Sequence, residues 1–128
     1  MMQTKAILAV LLTALFLVFA PAASRADKSE VRIEAPEKAA QGTEITIKLD
    51  VSHHGNNLIH HTEWLRLDIN GKTVQKWEFS ATRRPEAENF SRTFPYKVDG
   101  PLEIVSEASC NLHGSKGPAR RKVDLLEE

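Results

Sequence analysis

Two stretches of strict apolar–polar alternation, residues 44–51 and 61–69, leave this chain little choice but to build strands. In the first, Ile45, Ile47, Leu49 and Val51 share one face while Glu44, Thr46, Lys48 and Asp50 share the other. In the second, Leu65, Leu67 and Ile69 oppose Thr62, Trp64, Arg66 and Asp68, and the run ends at Asn70-Gly71. Those two residues tolerate the positive φ of a type I′ hairpin, so residues 73–79 are expected to pair back. Strands are also expected at 31–35, 89–96 (with Phe90, Phe94 and Tyr96 on one side), 102–109 and 121–125. About seven short strands at this spacing predict an all-β fold, an antiparallel β-sandwich of immunoglobulin-like type. Residues 81–88 read as a polar connecting loop with room for one helical turn, and no repeat or low-complexity linker divides the chain.

The first residues bear on compartment. Residues 1–6 carry one lysine and no acid, residues 7–20 are apolar, and small Ser24 and Ala26 follow. The apolar run is short for a bilayer span. It reads as a secretory signal, residues 1–26, cleaved near Ala26 to leave a single domain, 27–128. The expected location is periplasmic or secreted, with no stable membrane insertion once the signal is removed. The whole chain balances 17 basic against 17 acidic residues. Arg83-Arg84 and Arg120-Arg121-Lys122 are too short for a nucleic-acid footprint, so no nucleic acid is expected as partner. One cysteine, Cys110, makes an internal disulfide impossible. It is buried and inert, paired between chains in a homo-oligomer, or held by a metal.

The segment "VSHHGNNLIHHTEW", residues 51–64, holds four of the five histidines: His53, His54, His60 and His61. Imidazoles in a loop between strands are a metal-site signal, because neutral nitrogen donors suit iron, copper and zinc. A solvated, pH-responsive cluster is the bland alternative. The second half of a site is "CNLHG", residues 110–114, where a thiol and an imidazole stand three apart at a strand end, followed by a glycine for the turn. In a sandwich the two segments meet at one end, so His54, His60, Cys110 and His113 converge on one ion. Adjacent residues of an extended segment face opposite ways, which makes His53 and His61 reserve donors.

These motifs, H-x5-H followed by T-E-W and then C-N-x-H-G some fifty residues on, resemble the iron-binding domain of desulfoferrodoxin and neelaredoxin, the superoxide reductases. The resemblance covers residues 31–114. It implies an immunoglobulin-like sandwich and a mononuclear iron, Fe2+/Fe3+, held by four equatorial histidines and an axial cysteine thiolate with the sixth position open. It also implies reduction of the small-molecule substrate superoxide to hydrogen peroxide, with two protons and an external electron donor. By motif, His54, His60, Cys110 and His113 match the ligands. The family's remaining histidine lies upstream of the spaced pair, where this chain has "DKSEVRIE", residues 27–34, and no histidine. Glu30, His53 or His61 is then the extra donor, and Lys28 is the candidate catalytic cation that attracts the anion.

Two rival readings remain. One is a non-catalytic metal-binding or electron-transfer protein of the periplasm, holding iron, copper or zinc; a blue-copper site would lack its usual methionine, since Met1 and Met2 leave with the signal. The other is a metal-free immunoglobulin-like partner similar to the Z subunit of thiosulfate-oxidising carrier complexes, in which "CNLHG" has no counterpart. Trp64 and Trp77 are expected to be packing residues and Glu63 a surface carboxylate. The sequon at Asn89 falls in an expected strand and carries no weight. Catalytic triads and phosphate loops are not recognisable.

Overall fold

The computed structural model describes residues 27–127, which form eight strands and no helix. They are β1 (Glu30–Glu34), β2 (Lys38–Ala39), β3 (Glu44–Ser52), β4 (Thr62–Ile69), β5 (Lys72–Glu78), β6 (Phe90–Lys97), β7 (Leu102–Cys110) and β8 (Ala119–Leu125). The expected signal segment lies outside the described residues.

The alternation has the effect its period requires. In β3, Ile45, Ile47, Leu49 and Val51 turn inward; in β4, Leu65, Leu67 and Ile69 do the same. β3 pairs antiparallel with β1 and β6 in a three-stranded sheet, and β4 lies between β5 and β7 in a five-stranded sheet ordered β2-β8-β7-β4-β5. The two apolar faces close on a core completed by Ile104 and Val123, both fully buried. The β4–β5 turn has φ of 51° at Asn70 and 80° at Gly71, the two positive angles of a type I′ hairpin.

Seven of the eight strands match the expectation to within two residues at each end. The eighth, β2, pairs parallel with β8 over two residues, so the larger sheet is mixed rather than wholly antiparallel. A two-residue strand has no room for alternation and leaves no trace in the pattern. Residues 81–88 form a turn followed by bends, with no helix.

Topology fixes where a site can be. The chain leaves the smaller sheet at Ser52 and joins the larger one at Thr62, so the histidine segment is the crossover between layers. β7 ends at Cys110 directly opposite Thr62. Both motifs therefore lie at the same end of the sandwich.

Candidate metal centre

The inward parity of β3 continues one step past its end: Val51 is buried, Ser52 exposed, and His53 buried at 4% exposure. Its backbone N–H donates to Asn89 Oδ1 at 3.2 Å. Its ring Nδ1 lies 2.8 Å from the Gly55 carbonyl. A carbonyl can only accept, so Nδ1 carries the proton and Nε2 keeps its lone pair for an ion. Burial, reinforced by the neighbouring His60 ring, holds the His53 pKa below the usual imidazole value, against the opposing pull of the Gly55 carbonyl. The neutral form, the one that ligates, is favoured.

Gly55 is the hinge of the crossover. Its φ is +134°, and a β-carbon there would stand 2.5 Å from His60 Nδ1. Only glycine allows the ring this close. Beyond it, Asn57 Oδ1 accepts the N–H groups of Ile59 and His60, both at 2.9 Å, in a short side-chain-capped turn.

The second motif is closed by its own backbone. Cys110 and Gly114 exchange N–H···O bonds of 2.9 and 3.0 Å, with Gly114 at φ +78°. Between them Leu112 donates its N–H to Cys110 Sγ at 3.4 Å, and His113 places Nδ1 4.0 Å from the sulfur. Asn111 laces this turn to the histidine segment. Its Oδ1 accepts from His61 N (2.9 Å), its Nδ2 donates to Ile59 O (2.8 Å), and its backbone N donates to His61 O (3.0 Å).

Four donors result. His53 Nε2 lies 3.2 Å from His60 Nε2, which lies 3.3 Å from His113 Nδ1. The His53 and His60 nitrogens and the Cys110 sulfur are all within 4.8 Å of one another. Adjacent ring planes stand at 81° and 88°, so the imidazoles address a point instead of stacking. Two nitrogens each about 2.1 Å from one metal ion sit roughly 3.0–3.4 Å apart for bond angles between square and tetrahedral. The observed spacings fall in that range. His53, His60 and Cys110, the last at 2% exposure, could hold a metal as a mixed nitrogen–sulfur set of the kind that suits iron, zinc or copper, with the His113 ring alongside.

His60, Cys110 and His113 lie near one another, and His53 lies beside them. His54 is exposed and lines an adjoining cleft of about 370 Å³, together with Lys28, Lys116, Asp27 and Asn89. His61 is buried with Nδ1 against Asn57 O at 3.1 Å. Glu30 reaches away to Lys116 at 3.2 Å. The sequence carried a clue to His53, since it stands in the even-spaced series Ile47, Leu49, Val51. It carried none for the supporting amides of Asn57, Asn89 and Asn111, whose roles depend on contacts between distant segments. The Trp64 ring lies on the outer face with Arg66 and Lys76 at 5.5 and 5.6 Å, while Trp77 packs on the core.

The desulfoferrodoxin family profile matches residues 22–115 of this chain. The superoxide reductase (neelaredoxin) of Ignicoccus hospitalis superposes with a TM-score of 0.67 at 25% identity, over 84% of this chain and 89% of that one. A single-site variant of that protein gives 0.66 at 26% identity, covering 83% and 87%. A CARDB domain from Pyrococcus furiosus, solved in complex with di-metal ions, gives 0.62 at 18% identity over 82% and 99%, a likeness of fold alone. No curated protein matches the chain.

Proposed function

The chain belongs to the desulfoferrodoxin family, and from that premise we propose that it is an exported protein that holds one iron ion through His53, His60, His113 and Cys110 and reduces superoxide to hydrogen peroxide. The observation that carries this reading is the convergence of three ring nitrogens and one buried sulfur from two separate loops. One-electron chemistry is what iron supplies when bound. The balance is one superoxide, one electron and two protons in, one hydrogen peroxide out, with the electron replaced by an external donor.

The chain's own groups have definable tasks. Were an ion bound, Cys110 would ligate it through sulfur and push electron density toward it, and the Leu112 N–H on the sulfur would moderate that push. The Gly55 carbonyl fixes the His53 tautomer. Lys28, on the cleft that runs up to His53, supplies positive charge near the approach of an anion.

A second reading rests on the donor count. The fourth histidine of the expected set is absent upstream, and Nδ1 of His61 is taken by the Asn57 carbonyl. A set of imidazoles and one thiolate would also suit zinc or copper in a non-catalytic site.

Metal analysis with a visible spectrum separates the two. Iron predicts about one ion per chain and a thiolate-to-Fe(III) charge-transfer band toward the red, both lost in Cys110→Ser. Stopped-flow mixing of the reduced protein with superoxide should oxidise it stoichiometrically without oxygen release. Superoxide decay no faster than in buffer would leave the binding reading in place.

A further inference from the structure

Asn111 does more than bridge two loops. The last matched pair of the β4–β7 ladder is Thr62 opposite Cys110, and beyond it the 110–114 segment folds back on itself through the bonds exchanged by Cys110 and Gly114. One further rung is nevertheless made, half of it by a side chain. The Asn111 backbone N–H donates to His61 O at 3.0 Å, as a strand residue would, while the returning His61 N–H is accepted at 2.9 Å by Asn111 Oδ1 in place of a main-chain carbonyl. The same carboxamide donates from Nδ2 to Ile59 O at 2.8 Å. His60 is thereby held on both flanks by one residue that stands next to Cys110 and two positions before His113. Few side chains can make these contacts. The group must accept at one atom and donate at the other, which a carboxylate at neutral pH cannot do, and glutamine would add a methylene to a span already matched. It must also be uncharged, because Oδ1 lies 3.9 Å from Cys110 Sγ and a carboxylate there would oppose a thiolate.

We propose that Asn111 is the positioning residue of the metal centre: its carboxamide sets His60 against Cys110 and His113 before any ion arrives, so that the site is pre-formed in the metal-free chain. The consequence is energetic. Donors already held 3.3 Å apart, as His60 Nε2 and His113 Nδ1 are, need little ordering when an ion binds, because the entropy of fixing the two loops is met during folding. The other supporting amides do not replace it. Asn89 holds only His53 N, and Asn57 bonds within its own turn, whereas Asn111 joins the histidine segment to the cysteine segment. This deepens the proposed function and rests on its metal site, though not on which ion is bound there.

Hydrogen exchange followed by NMR on the full, metal-free chain tests the pre-formed contact. The His61 amide should exchange slowly in the unsubstituted protein, about ten-fold faster in Asn111→Ala, and slowly again in the milder Asn111→Asp, which keeps the acceptor. Ile47, in the core of β3, reports any general loss of stability and should change less than His61. Metal binding tests the positioning, with Co(II) as probe because its visible bands report coordination number and its near-ultraviolet band reports thiolate ligation. Asn111→Ala should bind Co(II) about 10- to 100-fold more weakly, with a diminished thiolate band. Asn70→Ala is the matched control: at the other end of the sandwich its carboxamide accepts from Glu103 N at 2.8 Å and donates to Pro101 O at 3.3 Å, so its loss costs stability without touching the site. Unchanged affinity and spectrum in Asn111→Ala, an equal loss in Asn70→Ala, or rapid His61 exchange in the unsubstituted chain would overturn the proposal. No uptake of Co(II) by the unsubstituted chain would overturn it together with the proposed function. The expected losses in Asn111→Ala, in a protein whose iron form ignores superoxide, would support the positioning role and discard the proposed reaction.

Discussion

At the scale of single residues, the proposed metal site turns on which of two adjacent histidines lies beside the other donors. His53 is buried with Nε2 aimed at His60, whereas His54 is exposed on the cleft. His53→Ala should lose stoichiometric metal while His54→Ala retains it, a difference that elemental analysis of the two purified variants reads directly. Gly55 is the second decisive position. Gly55→Ala combines the cost of a positive φ, about 1–3 kcal/mol, with displacement of the His60 ring. It should fold, melt lower and bind metal roughly 10- to 100-fold more weakly, as disturbed support of a ligand does; calorimetry and a metal titration check the two halves. The histidine segment and "CNLHG" were legible as a candidate site because their residue types are chemically unusual together. The choice between His53 and His54 was legible only through the parity of β3, while the motif's spacing pointed to His54. Gly55 was silent, because the need for a missing β-carbon is visible only once His60 is in place.

At the scale of elements, strands that alternate were readable almost to the residue, and the Asn70-Gly71 turn was readable in its backbone angles. What could not be read was the bracing between elements. The 81–89 loop is an instance: Arg92 of β6 grips Glu86 with two bonds of 2.8 and 3.0 Å and lies over the Phe79 and Phe90 rings. From that anchored loop the Pro85 carbonyl accepts from Asn56 Nδ2 at 2.8 Å, which props the histidine segment from below. On the outer face of β3, Asp50 accepts from Ser91 of β6 at 2.6 Å and faces Lys48 and Arg32 at 3.6 Å. The Ser91 hydrogen bond foremost, then these cations, lower the Asp50 pKa, and Arg92 lowers that of Glu86. Lowered folded-state values mean stability that is present above about pH 4 and lost as pH falls further, because the unfolded chain takes up the protons first. The paired substitution Asp50→Asn with Glu86→Gln should flatten the acid limb of a plot of denaturant midpoint against pH, with little change in its shape above pH 5.

At the scale of the whole molecule, the sandwich joins two layers that share a core but few covalent ties at the site end. The smaller sheet contributes His53 through β3, while the larger contributes Cys110 and His113 through β7, with His60 on the crossover. A chain with one cysteine has no disulfide with which to rivet one layer to the other. Coordination at the proposed site would take over that mechanical task, and unlike a covalent rivet it would be removable. Metal at about 100 times its dissociation constant would add about 2.7 kcal/mol to folding, a rise in melting temperature of roughly 10–20 °C for a domain of this size. Melting curves before chelation, after it, and after metal is restored should retrace that shift in both directions. The bond between the layers is then a fastener that the cell's metal supply can do up or undo, so the firmness of the whole fold tracks the occupancy of a point at its edge.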